Sequence, residues 1–183
     1  KCPKPMLKVA NKPMLLHIIE KAKSEGFYKF IIAVNYLSYV IKDYFGDGKK
    51  FGVEISYVDE KIPLGTAGAL SLIEIPVTEP LIVSNGDVLT HLNYKSLIEY
   101  QKLNKADACI ALAQELEKLQ YGVVNVSNGQ VVSVEERPII KRLVNAGVYA
   151  LAPDVLKVIP SDEKIDITTL FTNMINSGKK IVG

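Results

Sequence analysis

The sequence predicts an α/β fold with three layers, in which a Rossmann-like mixed, mainly parallel sheet lies between helices on both faces. Two observations support this class. Apolar residues alternate along the chain between helical spacing and short continuous runs, and such runs suit strands that are buried on both faces. Helices that alternate with such strands predict a parallel sheet. With 183 residues, 48% of them hydrophobic, the chain can bury a core, and we predict a single, partial domain over residues 1–183.

The first half of the chain supplies helices and strands in turn. Pro13 favours the start of a helix, the apolar residues from Leu15 to Ala22 keep helical spacing, and Gly26 favours its end. The run at 30–34 is continuously apolar, as a buried strand requires. The elements that follow are predicted to be a helix over 37–45, a strand over 53–58, a helix over 66–74 and a strand over 80–85.

The second half begins with a helix and then becomes rich in strands. Asn93 is a favourable N-cap for a helix that ends near Asn104. The turn Ser127-Asn128-Gly129 lies between two apolar runs and predicts a hairpin. The remaining predicted elements are strands over 108–113, 122–126, 130–134 and 144–151, a short helix after Pro153 and a longer helix over 166–177.

Charge, cysteine content and hydropathy exclude several classes of protein. The 22 basic and 20 acidic residues are interspersed and leave a net charge of +2, so no nucleic-acid-binding stripe is present. No run approaches the ~20 apolar residues of a membrane span. Cys2 and Cys109 have no partner at metal-ligand spacing, which favours a reduced compartment. We therefore expect a cytoplasmic protein with neither nucleic-acid nor membrane partners, and leave a homo-oligomer open.

Several polar or glycine-containing segments directly follow predicted strands or open the next helix. They are Gly65-Thr66, Asn85-Gly86-Asp87 and Glu135-Glu136-Arg137. In open α/β sheets, ligands bind beyond the carboxyl ends of the strands. The sequence therefore predicts a ligand site formed by these segments, with Asp87 and Glu136 facing one cleft.

The motifs of the chain, taken in order, resemble those of the sugar-phosphate nucleotidylyltransferases. The segments that carry the resemblance are Pro3–Leu7 with Asn11–Leu15, Leu64–Leu70, Asn85–Asp87, Tyr121–Val124, Glu135–Pro138 and Asn145–Tyr149. Each motif alone is weak, but together they cover nearly the whole chain. The form Leu-Gly-Thr-Ala-Gly-Ala-Leu is similar to that of mannose-1-phosphate guanylyltransferases, so the resemblance favours GTP.

The resemblance implies a reaction and its catalytic residues. A sugar 1-phosphate and a nucleoside triphosphate would give a nucleotide sugar and pyrophosphate, with Mg²⁺ as cofactor. Lys4 would face the phosphates, Asp87 would be a Mg²⁺ ligand, and Arg137 would contact the sugar phosphate. The alternatives that remain open are an exposed loop lysine, a turn aspartate and, for Arg137, a solvated charge at a strand end.

The resemblance also implies a set of substrate-binding residues. Gly65, Thr66 and Ala67 would lie against the nucleobase, with the helix N-terminus that follows left free. The remaining members of the set are Asn85 and Gly86 beside the metal ligand, Gly122, Glu136 and Asn145 on the sugar side, and Lys141 as a second phosphate contact. A tight turn, a hairpin glycine and a capping asparagine are the structural alternatives for Gly65–Ala67, Gly122 and Asn145.

The sequence departs from the family pattern at two places. The Gly-rich loop ending in arginine and a second metal-binding aspartate are both absent from these residues. We therefore expect the middle part of a larger catalytic domain, inactive by itself and binding nucleotide weakly. A noncatalytic nucleotide-sugar binding or regulatory module is the alternative function, and the sugar is not specified by the motifs.

Overall fold

The structure, a computed structural model, describes residues 2–161 and 163–183, and its first half follows the predicted alternation. Short 3₁₀ turns occur at Lys4–Met6, Lys49–Phe51, Ala69–Leu72 and Pro153–Val158. The elements of the first half are β1 (Lys8–Val9), β2 (Lys12–Pro13), α1 (Met14–Ser24), β3 (Lys29–Val34), α2 (Ser38–Phe45), β4 (Glu54–Asp59), α3 (Gly65–Gly68), β5 (Leu81–Ser84) and α4 (Tyr94–Leu103).

The second half contains five strands and one α-helix among the described residues. They are β6 (Ala108–Lys118), β7 (Val123–Ser127), β8 (Gln130–Glu135), β9 (Ile139–Leu151), α5 (Ile167–Asn176) and β10 (Ile181–Val182). No helix in the described part of the chain is both long and apolar enough to cross a membrane.

The chain divides into two compact units, which we call the first and the second unit. The first unit contains residues 1–111 and 147–183 as far as they are described, and the second contains Leu112–Ala146. Strands β6 and β9 therefore each contribute to both units. The predicted single domain over residues 1–183 stays a prediction.

The first unit contains strands of one mixed sheet and a separate parallel pair. One sheet has the order β10-β6-β9-β5, with β10 parallel to β6 and β5 antiparallel to β9. A separate parallel pair joins β3 to β4, with Lys29 opposite Glu54 and Val34 opposite Asp59. In the second unit, β7 and β8 form the predicted antiparallel hairpin. The predicted α/β class is confirmed.

Two apolar clusters form the core of the first unit. One contains residues of β9 and α5, among them Tyr149, Leu151 and Phe171, all of which are buried. The other joins α1 and α2 to the β3–β4 pair and includes Phe45. Each fully buried side chain of this size contributes roughly 1.5–3 kcal/mol, so α1, α2 and α5 are held firmly against their sheets.

Most of the predicted elements are confirmed, with two differences in length. Asn93 caps α4 as expected, because its Oδ1 accepts a hydrogen bond from the Ser96 N–H at 2.8 Å. The helix predicted over 66–74 is instead α3 followed by a 3₁₀ turn that ends at Leu72. Strand β6 is longer than predicted because its residues 114–118 are exposed and mostly polar, and β9 is longer because Lys141 and Arg142 interrupt the apolar residues at 139–143.

Candidate active site

Lys4 opens a short 3₁₀ turn that is fixed by its neighbours. The Met6 N–H donates to the Pro3 carbonyl at 2.9 Å, and the Leu7 N–H donates to the Lys4 carbonyl at 3.0 Å. Met6 is buried in the core, whereas Lys4 is exposed and forms no ion pair with any described residue. Because the backbone is anchored on both sides, the Lys4 ammonium is presented to solvent on a segment that loses little freedom when it binds an anion.

The Asn-Gly-Asp segment follows β5 and lies against the Lys4 segment. Asn85 donates its N–H to the Gly147 carbonyl at 3.1 Å, which ties the segment to β9. Gly86 packs so closely that a Cβ at this position would lie 3.1 Å from Cγ of Pro5. Pro5 directly follows Lys4 and Gly86 directly precedes Asp87, so the structure brings these two predicted residues onto adjoining loops.

Asp87 lies on the loop that follows β5. It is exposed, and within residues 2–161 and 163–183 it forms no ion pair. The described residues contain no group of three or more His, Cys, Asp or Glu side chains that could hold a metal ion. Mg²⁺ is commonly held by one or two carboxylates together with waters and substrate phosphates, so one free carboxylate fits this ion.

The Gly65–Gly68 segment is bonded to the residues that precede α5. The Ala67 and Gly68 N–H groups both donate to the Ile165 carbonyl, at 3.0 and 3.1 Å, and the Thr66 N–H donates to Asp166 Oδ1 at 3.3 Å. The expectation of a free helix N-terminus is therefore wrong, because these amides are already occupied. Sequence reasoning missed Asp166, whose contact with Thr66 joins residues that are 100 positions apart.

The predicted nucleobase residues differ in exposure. Ala67 is fully buried and belongs to the core cluster of β9 and α5, so its methyl group anchors the segment. Thr66 is exposed and Gly65 is half-buried. Gly65 and Thr66 are therefore the residues through which this segment can meet a ligand.

The second unit brings Gly122 and Glu136 together. A Cβ at Gly122 would lie 3.0 Å from Oε2 of Glu136, so the absence of a side chain makes room for this carboxylate. Glu136 also pairs with Arg137, whose Nε lies 3.3 Å from Oε1, but both side chains are mostly exposed. Exposed pairs contribute little to stability, so both groups can exchange this contact for a ligand at small cost.

Arg137 has an unusual backbone conformation. Its φ is +48°, in the left-handed region that non-glycine residues seldom occupy. Pro138 follows it and accepts a hydrogen bond from the Leu119 N–H at 3.1 Å, which holds the turn in place. Strained residues of this kind concentrate at functional sites, where the surrounding structure maintains them.

The other predicted residues of the second unit lie on β9. Lys141 and Asn145 are both exposed. The first unit thus holds Lys4, Gly65–Ala67 and Asn85–Asp87, and the second unit holds the sugar-side residues. The common cleft for Asp87 and Glu136 stays a prediction, since these residues belong to different units.

The mixed α/β fold is of the type found in nucleotide-sugar transferases. The family model described as nucleotidyl transferase matches residues 1–182. The chain belongs to this family, and the resemblance seen in its motifs is confirmed.

Two relatives illustrate the similarity. The chain is 38% identical over 164 residues to D-glycero-alpha-D-manno-heptose 1-phosphate guanylyltransferase of Campylobacter jejuni, covering 88% of this chain and 72% of that protein. It is 35% identical over 161 residues to mannose-1-phosphate guanylyltransferase catalytic subunit beta of Dictyostelium discoideum, covering 84% of this chain but 45% of that protein. The chain thus spans about half the length of mannose-1-phosphate guanylyltransferases that it matches.

Solved structures show the same likeness. The crystal structure of HddC from Yersinia pseudotuberculosis superposes with a TM-score of 0.68 at 26% identity, covering 88% of this chain and 72% of that one. HddC complexed with GMP-PN gives a TM-score of 0.67 at 26% identity, covering 91% and 74%.

Proposed function

We propose that this chain carries the nucleotidyl-transfer site of an enzyme that uses GTP and a sugar 1-phosphate to make a nucleotide sugar and pyrophosphate. The contact between Gly86 and Pro5 is the observation that carries the proposal, because it holds Lys4 and Asp87 on adjoining loops. Family membership and the guanylyltransferases among the relatives support the same reaction.

The reaction needs positioning and charge neutralisation rather than a covalent enzyme intermediate. An oxygen of the sugar 1-phosphate attacks the α-phosphorus of GTP, the new O–P bond forms in line, and the bond to the β-phosphate breaks to release pyrophosphate. Lys4 supplies positive charge to the phosphates from a rigid turn. Asp87 would hold Mg²⁺, which when bound neutralises charge that develops on the phosphate oxygens.

The second unit is proposed to bind the sugar 1-phosphate. Glu136 would accept hydrogen bonds from sugar hydroxyls, and the Gly122 contact leaves its carboxylate room to do so. Arg137 would bind the phosphate through its planar guanidinium, which suits bidentate contacts. Lys141 and Asn145, both exposed, are proposed as further contacts on β9.

GTP is proposed as the nucleotide and the cytoplasm as the compartment. The two relatives described above are named guanylyltransferases, and HddC was solved with GMP-PN. Cys2 and Cys109 are both free thiols, as in proteins of reduced compartments. The relatives act on different sugars, so the acceptor is proposed only as a sugar 1-phosphate.

The test is Asp87→Asn in the full-length protein, with pyrophosphate release measured from GTP and a panel of sugar 1-phosphates that includes mannose and manno-heptose. We expect turnover to fall at least ~100-fold at unchanged unfolding midpoint, since the carboxylate acts on developing phosphate charge. Asp43→Asn is the matched control, because Asp43 is an exposed carboxylate on α2, remote in sequence from the motifs. It should leave turnover unchanged.

Two results would count against the proposal. Near-normal turnover of Asp87→Asn would remove Asp87 from the mechanism. Binding of nucleotide sugars by a wild-type protein that releases no pyrophosphate would favour the noncatalytic binding module instead.

A further inference from the structure

The start of α5 and the Gly65–Gly68 segment exchange caps. Asp166 is the N-cap residue of α5, yet its side chain makes no capping bond to its own helix. Its Oδ1 instead accepts the Thr66 N–H at 3.3 Å, while the Thr66 hydroxyl accepts the Ile167 N–H at 2.8 Å. Each residue thus satisfies a backbone donor at the start of the other's helix, where donors lack partners within the helix.

Further backbone contacts hold together the junction between the Gly65–Gly68 segment and the start of α5. The Ile165 N–H donates to the Leu64 carbonyl at 2.9 Å, and the Ile165 carbonyl accepts from Ala67 and Gly68. The two glycines allow this approach, because a Cβ at Gly65 would lie 2.7 Å from the Ile165 oxygen and one at Gly68 would lie 2.8 Å from the Glu163 oxygen.

Helix α5 connects the junction to the core. Four of its side chains are buried in one cluster: Ile167, Leu170, Phe171 and Met174. The Gly65–Gly68 segment, which is bonded to the first turn of this helix, is therefore held in place by the core. Thr66 nevertheless remains exposed at the surface of the junction, where a ligand can reach it.

We propose that Asp166 is a positioning residue for nucleotide binding, which acts by fixing the conformation of Gly65 and Thr66 through the exchanged caps. This inference rests on the proposed function, in which Gly65 and Thr66 lie against the nucleobase. Since the amides of residues 66–68 are already bonded within the junction, the segment contributes its shape and exposed surface to the base. Because this surface already has its binding conformation, the segment loses less conformational entropy when the nucleotide binds.

The experiment compares variants of the full-length protein in three measurements: the Kd of GTP by equilibrium dialysis, the KM values of GTP and of the sugar 1-phosphate, and the midpoint of thermal unfolding. Asp166→Ala removes the acceptor, and Asp166→Asn keeps an oxygen that can accept the Thr66 N–H. Thr66→Val removes the other cap with little change of volume. Thr172→Val is the matched control, because it deletes the 3.0 Å bond from Thr172 to the Thr168 carbonyl on the same helix.

We expect Asp166→Ala to raise the Kd and the KM of GTP at least tenfold, with turnover at saturating GTP and the KM of the sugar 1-phosphate changed less than threefold. Asp166→Asn should recover GTP affinity to within threefold of wild type, and Thr172→Val should leave it unchanged. Thr66→Val should weaken GTP binding as well, and the double variant Thr66→Val/Asp166→Ala should lose less than the product of the single effects, because the caps act as one unit.

A lower unfolding midpoint with unchanged GTP affinity in Asp166→Ala would show a purely structural role and overturn the inference. An equal rise in the KM of both substrates would overturn it too. If Asp166→Ala does not fold, Thr66→Val decides in its place, because it removes the bond from the Ile167 N–H, and a lower unfolding midpoint with unchanged GTP affinity in that variant would overturn the inference. Failure of the wild-type protein to bind GTP would instead overturn the proposed function, and the inference with it.

Discussion

Gly65→Ala tests whether the close approach at the start of α3 is a structural necessity. Gly65 has a φ of +79°, and a Cβ there would lie 2.7 Å from the Ile165 carbonyl oxygen and 2.8 Å from Asp166 Oδ1. The first of these atoms belongs to the backbone and already accepts two N–H bonds, so it cannot move away without loss. We therefore expect a destabilisation larger than the conformational cost alone.

Gly178→Ala provides the matched control. Gly178 has a φ of +81° in the same unit, but a Cβ there would meet nothing within 4 Å. Its replacement should cost about 1–2 kcal/mol for the left-handed backbone of a non-glycine residue. Gly65→Ala should cost the same amount plus the loss of one or two hydrogen bonds, each worth about 1 kcal/mol, so the variants should differ by about 1–2 kcal/mol.

The assay is urea unfolding of both variants in the full-length protein, followed by circular dichroism and evaluated with a common slope. In thermal unfolding the same difference corresponds to roughly 2–8 °C between the two midpoints for a unit of this size. Free energies of unfolding that agree within ~0.5 kcal/mol would refute the reasoning, because they would show that the Ile165 oxygen yields at no cost.

Two further predictions concern groups outside the candidate site. Although burial opposes the ionised form, the hydrogen bonds from the Lys180 N–H and the Lys179 ammonium lower the pKa of Asp107. Its contribution to stability is therefore present above its unfolded pKa, about 4, and is lost as the pH falls through its lower folded value. Asp107→Asn should destabilise the protein at pH 7 and progressively less below pH ~4 in urea unfolding, and a difference that is constant from pH 7 to pH 3 would contradict this. Burial raises the pKa of the Cys109 thiol and shields it from reagents. A thiol reagent at pH 7 should therefore label only the exposed Cys2 in the native chain, and both cysteines after denaturation. Rapid labelling of Cys109 in the native chain would contradict this and show that β6 opens.

The sequence predicts elements well where local chemistry determines them. The strand β3 and the N-cap at Asn93 are of this kind, although β3 is less buried than its continuous apolar run predicts: Val34 is buried, the residues at 30–32 are half-buried and Ala33 is exposed. The parts of β6 and β9 that lie in the second unit were not fully predicted, because most of their residues are exposed and burial there requires no continuous apolar run.

The candidate site shows the same division between local and distant determinants. The placement of Asn85–Asp87 after β5 and of Glu136 and Arg137 after β8 could be predicted from the sequence alone. The contact of Thr66 with Asp166 could not, because an aspartate before an apolar helix predicts a cap for that helix, whereas here the carboxylate bonds to a segment 100 residues away. The left-handed backbone of Arg137 likewise has no local signal, because arginine has no preference for that region.

Two glycines of the candidate site allow a close approach between neighbouring segments. Gly86 lies against Pro5, and Gly122 lies against the Glu136 carboxylate, with 3.1 and 3.0 Å to the position that a Cβ would occupy. In each case a glycine on one segment makes room for a second segment that carries a charged side chain. The Asn-Gly-Asp motif therefore combines two features: an exposed carboxylate, and a missing side chain that lets the lysine-bearing segment pack against the loop.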